Sequence, residues 1–218
     1  MAGTIDKLLA DASQARREKR PADAHHDLLE AVALARAAAD QRTLARTLTE
    51  LGRIERDLGQ REAALTSYEA AAAIYRRLRD DLKLAHTVRH MGDIHQDAGR
   101  ASQAEPFLLE ALALYRANPQ APPLDLANAL RPLAILRHDA GNFSEADRLW
   151  DEAKGLYASV NVLPGVAGCA ARLALIARHN EDLERAQQML AEATAAAEAS
   201  GDFNSIHYVN EVRTGIAG

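Results

Sequence analysis

Two histidines and a cysteine are the residues of this sequence whose types and spacing could do chemistry. His86 and His90 stand four residues apart, so that on a helix both imidazoles would share one face, as two ligands of a metal ion do. The zinc-protease motif has glutamate directly after its first histidine, whereas this chain has Thr87 there. Cys169 stands beside Ala170 early in a predicted helix, which favours a small buried side chain over a nucleophile. We therefore predict no metal site and interpret the histidines as solvated or groove-lining.

The motifs of common enzymes are also missing from the sequence. No glycine-rich phosphate loop follows a strand, because the sequence contains no convincing strand. No set of serine, histidine and aspartate stands on a scaffold typical of a hydrolase. We predict that the protein is not an enzyme, has no catalytic residue and needs no cofactor.

Composition and charge narrow the choice of partners. The 218 residues carry a formal net charge of −5, which does not indicate nucleic-acid binding. No apolar run approaches the roughly 18–20 residues of a membrane span, and the N-terminal residues lack a signal-peptide core. One cysteine cannot form an internal disulfide, so a reducing compartment is the default. We predict a cytoplasmic protein with neither nucleic-acid nor membrane partners.

A repeat of forty residues provides the elements that would position these side chains. One unit opens at Leu44 and the next at Leu84, and each reads as helix, glycine-marked turn and helix. The equivalent pairs are Gly52 and Gly92, Gly59 and Gly99, Ala64 and Ala104, Ala71 and Ala111, and Tyr75 and Tyr115. Self-similarity at a period of roughly 20–50 residues is typical of a fold built from stacked repeats.

These units resemble the tetratricopeptide repeat family, in the 40-residue form found in kinesin light chains and Pins-type spindle adaptors. The family pattern has a large residue and a leucine–glycine pair in the first helix, then two alanines around an aromatic or large residue in the second. These positions are Leu48, Leu51, Gly52, Ala64, Tyr68 and Ala71 in one unit, and Val88, Met91, Gly92, Ala104, Leu108 and Ala111 in the next. Glu55 and His95 stand where the family usually has an aromatic residue. The resemblance implies an all-α fold, a right-handed α-solenoid.

Extended along the chain, the pattern predicts five helix-turn-helix repeats and a C-terminal capping helix in one domain, 1–218. The repeats cover about 4–40, 41–80, 81–121, 122–163 and 164–202, and the capping helix covers 203–218 with an apolar stripe of Ile206, Val209 and Val212. The turn of the fifth repeat lacks glycine, which leaves its register near His179 open by one residue. In the fourth repeat, Pro132 predicts either a kinked first helix or a helix that begins late, near residue 130.

The resemblance also implies a binding groove. In tetratricopeptide arrays the first helices of successive units line a concave surface, and five positions of each unit face it. Of the 25 such positions in this chain, eight are arginine and five are aspartate, which leaves the groove near +3 with neutral histidines. The predicted peptide-binding residues are Arg46, Arg53, Arg56, Arg89, Arg131, Arg178, Asn128, His86 and His138. An alternative stays open, in which Asp57, Asp97 and Asp139 neutralise the groove internally.

The groove predicts what the protein does. Arginine forms forked, bidentate hydrogen bonds with carboxylate and phosphate groups, so we predict a protein–protein interaction module that binds an acidic or phosphorylated peptide segment. His86, His138 and His179 are expected to charge near pH 6 and to tighten that binding. Further apolar anchors are expected at Leu9, Ile135 and Leu175.

The sequence also bears on other functions that a groove of this kind could have. The lysine and asparagine set of the family's chaperone-tail clamps is missing here. Two alternatives remain open, a peptide- or ligand-sensing regulatory domain and a homotypic assembly scaffold. The polar first helix argues against end-to-end stacking at that end of the chain.

Overall fold

The chain folds into α-helices throughout. The computed structural model describes residues 2–217, and within that range there are eleven helices and no strand, which confirms the predicted all-α class. The helices are α1 (Ala2–Arg17), α2 (Pro21–Ala37), α3 (Gln41–Asp57), α4 (Arg61–Leu78), α5 (Asp81–Asp97), α6 (Ala101–Ala117), α7 (Pro123–Asp139), α8 (Phe143–Ser159), α9 (Leu163–His179), α10 (Leu183–Ser200) and α11 (Phe203–Ala217).

The helices divide into two compact units, residues 1–118 and 119–218. In the first unit α1 packs with α2, α3 with α4 and α5 with α6, and each pair also contacts the next pair along the chain. In the second unit α7 packs with α8 and α9 with α10, while α11 lies against both helices of the last pair. Each unit is therefore built from the helical pairs that the repeat predicts, stacked in chain order.

Small residues of the repeat allow the helices of a pair to approach closely. A Cβ atom placed on Gly52 of α3 would lie 3.1 Å from the ring of Tyr68 on α4, and that ring is completely buried. A Cβ on Gly92 of α5 would lie 2.5 Å from the side chain of Leu108 on α6. The leucine–glycine position of the pattern thus marks the point where a large residue of the second helix packs onto the backbone of the first.

The turn inside each pair places one residue in the left-handed region. Gly59, Gly99 and Gly141 have φ values of 76°, 69° and 74°, and Glu181 takes the equivalent place in the fifth pair with φ 62°. The N–H of Asp182 donates to the carbonyl of Ala177, the helix-ending hydrogen bond that the glycine turns also form. The fifth turn is therefore as long as the others, which settles the register that its sequence leaves open.

The proline in the fourth repeat does not delay its helix. α7 begins at Pro123 and runs without interruption to Asp139, with Pro132 buried inside it. The alternative in which this helix begins near residue 130 is therefore wrong. Proline near the start of a helix is well tolerated, and here Pro123 occupies the first helical position.

The last helix buries the predicted apolar stripe. Val209 and Val212 of α11 are buried, Ile206 is half-buried, and α11 contacts α9 and α10. Before this helix, Asp202 accepts hydrogen bonds from the backbone N–H and the hydroxyl of Ser205, which satisfies its N-terminus. The predicted capping helix is confirmed.

Two turn substitutions are expected to change stability in opposite directions. A Cβ added at Gly141 meets no atom within 4 Å, so Gly141→Ala acts only through the left-handed backbone and is expected to destabilise by about 1 kcal/mol. Glu181→Gly removes the same strain and is expected to stabilise by up to about 1 kcal/mol. Urea unfolding followed by circular dichroism measures both, and a Gly141→Ala variant as stable as wild type would contradict this account of the turns.

Candidate peptide-binding surface

In the first unit two arginines form ion pairs with aspartates of the next first helix. Arg16 Nε of α1 lies 2.6 Å from Asp57 Oδ2 of α3. Arg56 Nη2 of α3 lies 2.7 Å from Asp97 Oδ2 of α5. For Asp57 and Asp97, the alternative of internal neutralisation is confirmed.

The other predicted arginines of this unit also have acidic partners. Arg53 lies 2.5 Å from Glu50, Arg89 lies 2.6 Å from Asp93, and the exposed Arg46 lies 3.8 Å from Asp6. Together with the Arg16–Asp57 and Arg56–Asp97 pairs, five arginines are matched by five carboxylates. The exposed pairs among them stabilise the fold by roughly 0–1 kcal/mol each. All five leave little excess positive charge for a ligand.

Arg89 belongs to a buried cluster rather than to an open surface. Its side chain is only 12% exposed, and a second guanidinium, Arg56, lies 3.5 Å from the same oxygen of Asp93. Burial alone would raise the pKa of Asp93, but the hydrogen bond with His90 and the charge of Arg89 outweigh it and hold this pKa below its usual range. The Asp93 carboxylate therefore stays ionised and holds Arg89 in place.

The two histidines of this cluster stay neutral. His86 Nε2 and His90 Nε2 are 3.2 Å apart, and His90 stacks on Tyr68 with ring centroids 5.5 Å apart. Burial, and then the charges of His90 and Arg89, lower the pKa of His86 to about 3. Burial also lowers the pKa of His90. The expectation that His86 charges near pH 6 and tightens ligand binding is therefore wrong.

Acid is expected to destabilise the protein through His86. Its pKa is about 3 when folded and about 6.5 when unfolded, so below pH 6.5 the unfolded chain takes up a proton that the folded chain does not. The free energy of unfolding should therefore fall by up to about 1.4 kcal/mol per pH unit as pH drops below 6.5, with His90 acting in the same direction.

Urea unfolding at several pH values between about 7.5 and 4.5 tests this. His86→Gln should give a flatter pH dependence, by about one proton, than wild type. His26, exposed on α2 of the same unit, provides the matched control as His26→Gln. Equal slopes for His86→Gln and wild type would contradict the neutral, buried state of His86.

In the second unit Asn128 has a structural partner. Its Oδ1 accepts a hydrogen bond of 2.7 Å from the hydroxyl of Tyr157, which links α7 to α8. His138 is half-buried against Phe143, and Phe143 also contacts His179 with ring centroids 4.1 Å apart. These predicted groove residues therefore pack within the unit.

Three arginines on the first helices of the second unit have no acidic partner. Arg131 of α7 and Arg178 of α9 are exposed, and Arg172 of α9 is half-buried. None of the three forms an ion pair within the described part of the chain. Arg172 lies instead over the ring of Tyr208, 5.5 Å from its centroid, a cation–π contact. Among the predicted peptide-binding arginines, the two without an acidic partner, Arg131 and Arg178, thus lie in this unit.

Two of these arginines line a pocket of about 270 Å³ in the second unit. Its lining residues come from α7, α8, α9 and α11 and are Arg131, Ile135, Trp150, Pro164, Gly165, Gly168, Arg172, Asn204, Ser205 and Tyr208. The sequence analysis predicted Arg131 and Ile135 as residues of the groove, but it did not predict Arg172. Trp150 and Tyr208 were not predicted as groove residues either. Aromatic side chains with a polar tip are rare in this chain, which has 4% aromatic residues, and this rarity is a signal that could have identified them.

Cys169, first considered for its possible reactivity, is a residue of the core. Cys169 is fully buried, and burial raises the pKa of its thiol to about 12, so the reactive thiolate is strongly disfavoured. Within the described residues no group of three histidine, cysteine, aspartate or glutamate side chains could hold a metal ion. In the same range no helix is both long and apolar enough to cross a bilayer.

A family model described as "Tetratricopeptide repeat" matches residues 43–117, which are α3 to α6 with their turns. Residues 43–117 therefore carry tetratricopeptide repeats. The resemblance to this family, predicted from the paired units that open at Leu44 and Leu84, is confirmed. No match was found among the curated proteins.

Three solved structures have a similar fold. BtubC (BKLC) from P. vanneervenii is 16% identical with a TM-score of 0.79, over 91% of this chain and 82% of that one. A putative kinesin light chain of "Podosopora anserina" with TPR-like repeats is 18% identical with a TM-score of 0.69, over 89% and 96%. A Rap protein in complex with competence and sporulation factor is 13% identical with a TM-score of 0.71, over 98% of this chain but only 65% of its own. At such identities the likeness establishes the fold alone.

Proposed function

We propose that this protein is a protein–protein interaction module that binds an acidic segment of a partner along the first helices of its second unit. Tetratricopeptide repeats within residues 43–117 support a module of this class. The structure of a similar Rap protein holds a bound factor, which supports a peptide as the kind of ligand.

The observation that carries the proposal is the contrast between paired and unpaired arginines. A ligand carboxylate that approached Arg16 or Arg56 would compete with Asp57 or Asp97, which already hold those guanidiniums. A ligand carboxylate that approached Arg131 or Arg178 would meet no such competitor within the described residues. The net attraction for an acidic segment is therefore greatest on α7 and α9.

The side chains around these arginines support selectivity as well as charge. Ile135, one of the predicted apolar anchors, is half-buried one turn after Arg131 and lines the same pocket. Leu9, another predicted anchor, is only 7% exposed in the first unit, so little of it is available to a ligand. Apolar contact beside a guanidinium fits a segment in which acidic and aliphatic residues alternate.

Charge reversal on the second unit is expected to abolish most of the binding of acidic peptides. The probes are fluorescein-labelled peptides rich in Asp and Glu, and the same peptides with Asn and Gln in their place, measured by fluorescence anisotropy. Wild type should bind only the acidic set, more weakly as salt is added, because exposed charges are screened over about 8 Å at physiological ionic strength. The double variant Arg131→Glu, Arg178→Glu should lose at least tenfold in affinity, about 1.4 kcal/mol or more.

A matched control separates this effect from the change in net charge. Arg148 of α8 and Arg213 of α11 are exposed and lie outside the proposed surface, so Arg148→Glu, Arg213→Glu gives the same change in charge. The control should retain most of the affinity. Equal losses in the two double variants, or equal binding of the acidic and amide peptides, would refute the proposed surface.

A further inference from the structure

We propose that the pocket of the second unit is an oxyanion site, which takes a carboxylate or phosphate group carried on a side chain of the bound segment. The source of the oxyanion rests on the proposed function, whereas its recognition rests on the pocket alone. The pocket is formed by residues of four helices.

The charges around the pocket favour an anion. Arg131 reaches it from α7 and Arg172 from α9, and among the described residues that line it none is acidic. A nearby carboxylate, Asp202, is engaged with the N–H and hydroxyl of Ser205 at the start of α11. Two guanidiniums without a carboxylate partner provide forked donors for the two or three oxygens of one oxyanion.

Two further residues that line the pocket carry buried donors. Neither the indole Nε1 of Trp150 nor the hydroxyl of Tyr208 donates a hydrogen bond within the described residues. Burial raises the pKa of the Tyr208 hydroxyl, and the neighbouring Arg172 opposes this shift. Trp150 as a whole is only 2% exposed. Buried polar groups usually have a partner, because leaving one unpaired destabilises the folded state. Because both residues line the pocket, an oxyanion bound there would lie close to these donors.

A glycine keeps part of this space open. A Cβ atom placed on Gly168 of α9 meets no atom within 4 Å, so no neighbouring side chain requires glycine there. Glycine inside a helix is also unfavourable compared with residues that have a side chain. A larger side chain at this position would occupy the pocket and stabilise the helix at once, which separates a binding role from a structural one.

The single tryptophan of the chain provides a direct probe. The indole N–H signal in ¹H–¹⁵N spectra and the fluorescence of Trp150 can be followed while sodium phosphate or sodium acetate is added to the full chain. Sodium chloride at equal ionic strength serves as the reference. We expect a saturable shift with at least one of the two oxyanions and none with chloride. Arg131→Gln, which replaces an exposed side chain without an ion pair, should weaken the apparent affinity at least fivefold.

Two more variants distinguish recognition from stability. Tyr208→Phe removes a hydroxyl that has no acceptor, and Gly168→Leu fills the open space; each should leave the unfolding midpoint unchanged or higher while weakening oxyanion binding at least fivefold. Gly155→Leu on α8 is the matched control, because a Cβ there also meets nothing within 4 Å and Gly155 does not line the pocket. It should bind the oxyanion as wild type does.

The outcomes separate the sources and the two proposals. A shift with phosphate alone indicates a phosphorylated residue, and a shift with acetate indicates an aspartate or glutamate side chain. The oxyanion site is overturned if neither anion gives a saturable shift, or if Gly168→Leu titrates like wild type. If the indole responds but acidic peptides do not bind, the proposed function fails and the pocket stands. If acidic peptides bind while the indole is silent, the pocket fails and the proposed surface stands.

Discussion

Close packing of a large side chain onto a glycine of the facing helix is the constraint on which the second and third helical pairs depend. Tyr68 lies on Gly52 and Leu108 on Gly92, so a single Cβ atom at either glycine would have to displace a buried side chain. This contact fixes which face of the first helix is buried against its partner. The remaining face carries the arginines, so the packing of the core determines which side chains a ligand can reach.

Electrostatics then gives the two units different surfaces. In the first unit an arginine of one first helix pairs with an aspartate of the next, as Arg16 does with Asp57 and Arg56 with Asp97. Such pairs reinforce the stacking of successive repeats and use the guanidiniums internally. In the second unit Arg131 and Arg178 have no counterpart of this kind among the described residues, so the same repeat geometry presents uncompensated charge.

The repeat made the fold predictable from the sequence, because glycine and alanine recur where helices touch and turn. Glu181 was harder to place, since a residue other than glycine gives no sign in its type that it adopts a left-handed conformation. The aspartates that recur at groove positions of successive repeats correctly predicted that Asp57 and Asp97 neutralise groove arginines. The ion pair between Arg53 and Glu50 could not be predicted, because Glu50 is not one of the predicted groove positions and the sequence does not give its side-chain conformation.

The pocket could not be predicted as a whole, because its aromatic side chains come from helices that the groove pattern does not include. Trp150 and Tyr208 belong to α8 and α11, and their shared pocket depends on how those helices pack. The neutral state of His86 likewise depends on burial that spacing alone does not reveal.

Hydrogen–deuterium exchange of the full chain with and without a bound acidic peptide tests most directly whether the second unit is the binding surface. If it is, protection should be greatest in α7 and α9, at residues 123–139 and 163–179, and small in α3 and α5. Protection confined to α3 and α5, with α7 and α9 unchanged, would contradict the account and return the binding surface to the ion-paired arginines of the first unit.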